Sequence, residues 1–149
     1  MFRFLHGRKG FTILELLIVI AVIAILVGIA LPRFKGMKDE GNYAKAKGEL
    51  RTIQTAVESI RIHSGAYPAD ITTATLSAAV PQIMATVPND PFTTSAYGYG
   101  VSPNGNYYIA WSAGPGGAAT VTGIANTGLL TGSAGDDIYV SNGSVSAGG

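Results

Sequence analysis

Phe11-Thr-Ile-Leu-Glu-Leu-Leu-Ile-Val-Ile-Ala-Val-Ile-Ala-Ile-Leu-Val-Gly-Ile-Ala-Leu31 is apolar throughout except at Thr12 and Glu15. At about 1.5 Å per residue, a helix over this stretch reaches roughly 30 Å, the thickness of a bilayer core. Arg3, Arg8 and Lys9 precede it with no acid among them. That bias predicts an N-terminus in the cytoplasm and the rest of the chain outside. A cleaved secretory signal would have a shorter apolar core followed by a small-residue site, and Leu31-Pro32-Arg33 is no such site. A plain signal anchor explains everything here but Glu15. A carboxylate at the centre of a membrane helix costs about 3 kcal/mol on insertion scales. Either it lies close enough to the interface to reach water along its stem, or it has a partner or a task.

The residues flanking Glu15 extend the pattern. Lys9-Gly10-Phe11-Thr12-Ile13-Leu14-Glu15-Leu16 resembles the class III signal motif of type IV pilins and type II secretion pseudopilins. That motif is a basic leader ending in Gly, then Phe, a Thr, and a Glu early in the apolar run, and the likeness continues to about Pro32. The resemblance implies that a membrane prepilin peptidase cuts between Gly10 and Phe11 and that the new N-terminal Phe11 is methylated. It implies that the helix is held in lipid before assembly, then drawn by an inner-membrane assembly platform into a helical homo-oligomeric filament. It also implies an inner-membrane, single-pass subunit with its head in the periplasm before extraction. Cutting after Gly10 would leave a charged amine on Phe11, four residues before Glu15. In a bundle of identical helices, Glu15 of one subunit could meet the Phe11 amine of another, since a carboxylate in low dielectric is driven to find a partner. Such a pair would set axial register, as buried polar groups do in coiled coils.

Beyond Leu31 the pattern changes. Ala46, Leu50, Ile53, Val57 and Ile60 recur every three or four residues, the stripe of an amphipathic helix. Gly65 followed by Tyr67-Pro68 predicts its end. Gly28, Pro32 and Gly36 interrupt the same helix, and an interior Pro costs about 3 kcal/mol. An isolated subunit is expected to keep a kinked but continuous helix. The resemblance implies that the Gly28–Pro32–Gly36 region melts in the filament.

From Tyr67 onward Ala, Thr, Ser, Gly and Pro dominate. A short helix or loop is expected within 75–84, and a turn at Val87-Pro-Asn-Asp-Pro-Phe92. Tyr97–Val101 and Tyr107–Trp111 flank Asn104-Gly105, a hairpin signal, and Ile138–Val140 is a third strand candidate. The fold expected is α+β, a long N-terminal helix packed against a small antiparallel β-sheet head. The organisation read from the chain is 1–10 cleaved basic leader, 11–32 transmembrane and filament-core helix, 33–64 amphipathic stalk helix, and 65–149 β-rich head.

The head is similar, more loosely, to the major pseudopilin of type II secretion. Gly65-Ala-Tyr-Pro68, Pro88-Asn-Asp-Pro-Phe92, Tyr107–Trp111, Gly114-Pro-Gly-Gly117 and Gly135-Asp-Asp-Ile-Tyr139 carry that likeness. It implies a calcium site using Asp136 and Asp137, whose hard oxygens suit that ion. The chain departs from the family where Gly114–Gly117 lacks an acid and where Ala118–Gly132 forms a longer Gly/Ala/Thr-rich stretch. A weaker site is expected on that account, and a solvated Asp-Asp turn is the alternative.

Charge and composition exclude several classes. Hydrophobic residues make up 47% and charged residues 13% of the 149, about half the charge of a typical soluble protein. There is no cysteine, so neither a disulfide nor a thiolate site is possible. After Arg61 there is no Lys or Arg, only Asp70, Asp90, Asp136 and Asp137, so nucleic acid is not an expected partner. His63 has no nucleophile–acid pattern near it, and no catalytic constellation is visible. The basic segment Arg33–Arg51 could instead face the acidic head of a neighbouring subunit. The function expected is a structural filament subunit, most like the major pseudopilin of a type II secretion system. A true surface pilin serving adhesion or motility is the alternative, and a minor pilin-like binding protein a more distant one.

Overall fold

The computed structural model describes residues 10–144. The leader read from the sequence therefore lies outside the described residues except for Gly10. The chain divides into two compact units, Met1–Lys38 and Asp39–Gly149, and the division falls within the first helix, α1, Ile13–Ser64.

In the first unit, Thr12 starts α1. Its hydroxyl accepts the N–H of Glu15 at 3.1 Å and its carbonyl accepts the N–H of Leu16 at 3.2 Å, so one side chain satisfies a donor that the first turn leaves free. Every large apolar side chain from Phe11 to Phe34 is exposed, which is the inverse of a soluble helix packed in a core. The helix is long and apolar enough to cross a membrane. It stays helical through Pro32, as expected for the isolated chain. Pro32 lacks an N–H, so the carbonyl of Gly28 has no helical donor there.

The second unit is built on the other part of α1. Ala46, Leu50, Ile53, Ala56 and Val57 are completely buried, and Ile60 packs at their margin, so the stripe read from the sequence is the core face. Gly65 ends the helix at φ +81°, with its N–H on the carbonyl of Arg61 at 2.9 Å. The Arg61 guanidinium turns back onto the Gly65 carbonyl and lies 5.0 Å from the centre of the Tyr67 ring. A second helix, α2, Thr73–Ser77, begins slightly earlier than the sequence suggests, because Thr72 caps it through the N–H of Thr75.

Strands β1 (Gly98–Val101) and β2 (Tyr108–Ser112) pair antiparallel around the Asn104-Gly105 turn. Two further strands, β3 (Val121–Ile124) and β4 (Leu130–Gly132), form a separate hairpin. Strand β5 (Ile138–Ser141) returns to pair with β2, giving the order β1-β2-β5. Side chains alternate across β2. Tyr108 and Ala110 face the helix with Tyr97 and Ile138. Ile109 and Trp111 face the other way and are covered by Val121, Ile124 and Leu130 of the hairpin. The α+β architecture expected from the sequence is the one present, with the Gly/Thr-rich stretch as an additional layer.

Candidate functional site

The N-terminal turn brings together the residues singled out for processing and assembly. Gly10 and Phe11 precede the helix in non-helical backbone, and Phe11 is 82% exposed. Nothing lies within 4 Å of where a Cβ on Gly10 would sit. The spacing Thr12-x-x-Glu15 is that of a capping box, and half of that box is formed, by the Thr12 hydroxyl. The reciprocal bond from the Glu15 carboxylate is absent among the described residues, as is any ion pair to it. Near a helix N-terminus the carboxylate gains from the dipole, but it remains an unpaired charge in an apolar stretch. What the described residues offer chemically is an exposed Phe11 and, one turn away, a carboxylate without a partner among them.

The second group of residues closes the head. Asp137 is buried, and its Oδ2 accepts the N–H of Thr120 (2.8 Å), the N–H of Val121 (2.7 Å) and the Thr120 hydroxyl (3.2 Å). Its Oδ1 is buried and has no hydrogen-bond partner. Asp136 is exposed, and its Oδ2 accepts the N–H of Gly116. These contacts tie the Gly114–Gly117 turn and the start of β3 to the loop before β5. The unclaimed buried oxygen of Asp137 fits a hard cation, whose ligands are oxygens. No cluster of three or more His, Cys, Asp or Glu side chains occurs among the described residues, so any such ion would draw on backbone oxygens or water.

Asp90 is the carboxylate that sequence reasoning missed. It was read only as part of a turn, yet it is 2% exposed. Its Oδ1 accepts the N–H of Phe92 (3.0 Å) and the hydroxyl of Ser112 (2.9 Å), and its Oδ2 accepts the N–H of Ala113 (2.9 Å). The signal available in the sequence was Asp between Asn and Pro, which favours an Asx-type turn. The link to Ser112, on another strand, was not available. Glu49 is similar: it accepts from the Tyr97 hydroxyl at 2.5 Å and lies 3.9 Å from Lys45, so a helix charge is partly drawn into the core.

Comparison with known proteins covers less than half of the chain. The prokaryotic N-terminal methylation motif matches residues 5–31. The chain is 44% identical over 61 residues to fimbrial protein EcpB of Eikenella corrodens, covering 41% of this chain and 38% of that protein. It is 42% identical over 55 residues to the type IV major alpha-pilin of Moraxella bovis, covering 37% and 35%. Type II secretion system core protein G of Pectobacterium carotovorum subsp. carotovorum is 25% identical over 63 residues, covering 42% and 40%. The chain thus matches well under half the length of these relatives, and no solved structure matches it. Through this stretch the chain carries the type IV pilin methylation motif, and its relatives are type IV pilins and core protein G pseudopilins of type II secretion.

Proposed function

We propose that the chain is a structural subunit of a type IV pilus-like filament, matured by a prepilin peptidase and N-methyltransferase that cuts between Gly10 and Phe11. The observation that carries this reading is the first part of α1: an apolar helix exposed on all sides, with one carboxylate, Glu15, that has no partner among the described residues, a turn from the cut. Exposed apolar surface on that scale needs lipid first and other helices later. On release, the Phe11 amine of one subunit pairs with Glu15 of a neighbour and fixes the axial step. The Gly28–Pro32–Gly36 region, weakened by the missing N–H of Pro32, loosens on packing.

The test has two parts. Mass spectrometry of the mature chain should give a methylated N-terminal Phe11, and electron microscopy should show filaments. Glu15→Gln should be cut normally and assemble poorly. Assembly of Glu15→Gln at the unaltered level would overturn the pairing.

The finer reading is the major pseudopilin of a type II secretion system, supported by the Gly135–Tyr139 segment and the absence of cysteine. In that reading a calcium ion is held through the free Oδ1 of Asp137, with Asp136 beside it, and rigidifies the closing loop. Chelation should lower the melting temperature of the head, and a melt unmoved by chelator and by added calcium removes the ion. A second reading, a surface pilin, is favoured by the higher identity to pilins over stretches of similar length. Deleting the gene and measuring protein secretion against surface piliation separates the two.

A further inference from the structure

The cations of the second unit are not equivalent. Lys45 is paired with Glu49, and Arg61 is engaged with Gly65 and Tyr67. Lys47 and Arg51 are exposed and, among the described residues, have no acidic partner. They line one wall of a cleft of about 390 Å³ whose other wall is β5, with Tyr43 and Tyr139 at its rim. Asp137 also lines the cleft, but its carboxylate is buried and bonded to Thr120 and Val121, so the accessible charge is positive. Strand β5 is the end of the sheet and leaves one edge free.

The complementary charge lies in the segment that follows α1. The hydroxyl of Tyr99 in β1 donates to the carbonyl of Pro68 at 3.0 Å, which holds the segment leading to Asp70 against the sheet. Asp70 is exposed, and its Oδ1 accepts the N–H of Thr72 (3.0 Å) and the hydroxyls of Thr72 (2.9 Å) and Thr75 (2.6 Å). The carboxylate is therefore fixed, with its second oxygen free of these bonds. Asp136, the other exposed acid of the head, is engaged by the N–H of Gly116. A donor and a receptor on different patches of one chain form a heterologous contact, which propagates into an open helical array when its rotation closes no ring.

We propose that the α1–β5 cleft receives the Asp70 loop of a second copy of this chain, with Asp70 pairing to Lys47 and Arg51. The inference rests on the filament reading and names the head contact that would accompany it. No Lys or Arg follows Arg61, so the head has no cation of its own to compete for Asp70. Contacts of this kind set partner choice and register more than raw affinity, and they weaken with salt.

Assembled filaments made from a mixture of isotopically light and heavy subunits provide the test. A carbodiimide, which joins a carboxylate to an amine with no spacer, should yield a Lys47–Asp70 linked peptide pair containing one light and one heavy partner. Asp70→Asn, which removes the charge and keeps the size of the side chain, should lower filament yield at low salt. The Lys47→Glu, Arg51→Glu double variant should lower it about tenfold, with Asp70→Lys restoring it when combined. Filaments that form with no mixed Lys47–Asp70 pair, and that are indifferent to these charges, overturn the contact while leaving the filament reading intact. A subunit that forms no filament even when unaltered defeats the filament reading itself.

Discussion

Asp70, Asp90, Asp136 and Asp137 of the head all receive hydrogen bonds from the backbone, and their surroundings decide what each does. Asp90 is buried with three donors on it, so Asp90→Ala strands two N–H groups and a hydroxyl. The expected loss is about 3 kcal/mol, read by denaturant unfolding of the head. Asp90→Asn, which keeps one acceptor, should lose less. Asp70 differs because it is in water. The hydroxyl of Thr75 and then the N–H and hydroxyl of Thr72 hold its carboxyl below the ordinary value of 3.8. A depressed carboxyl stabilises the fold above its unfolded value, and that contribution fades as pH falls through the lower folded value. Asp70→Asn should therefore speed amide exchange in α2 at neutral pH, with the difference from the unaltered chain vanishing well below pH 3.8. At the N-terminus, Glu15 has none of these compensations among the described residues, which is why it reads as a residue awaiting another chain.

The elements show where sequence reasoning succeeds. The core stripe from Ala46 to Ile60 was legible because helical periodicity depends on nothing distant, and the β1–β2 hairpin because Asn104-Gly105 encodes its own turn. The β3–β4 hairpin was not legible. Its strands are short, Gly123 and Gly132 interrupt them, and they are held by tertiary contact with Ile109 and Trp111 rather than by propensity. The burial of Asp137 escaped for the same reason, since the donors from Thr120 and Val121 come with that hairpin. Of the candidate site, the residues around the cut were readable from one local motif, whereas the carboxylate network needed the fold. Gly98 marks how closely the layers fit. It pairs across the sheet with Trp111, and a Cβ there would lie 2.1 Å from the indole. Gly98→Ala should cost about 2 kcal/mol in thermal unfolding of the head by displacing that ring.

For the molecule as a whole, a fold without disulfides depends on buried phenols as well as aliphatic packing. Tyr97 is pushed well above the ordinary 10.0 by burial and by its bond to Glu49, and Tyr99 and Tyr108 are raised chiefly by burial. A raised folded value stabilises the fold below the unfolded value of 10.0, and that contribution is lost as pH climbs past it. The melting temperature of the head should drop above pH 10.0, and Tyr97→Phe should flatten that fall while costing about 1.5 kcal/mol at neutral pH. Trp111 is the only tryptophan in the chain, and it packs among the hairpin's contacts on the sheet face away from α1. The protein therefore carries its own optical gauge. A red shift in indole emission would register the outer hairpin lifting away, while far-ultraviolet helicity would register α1, so the order in which the two layers let go can be timed without attaching a label.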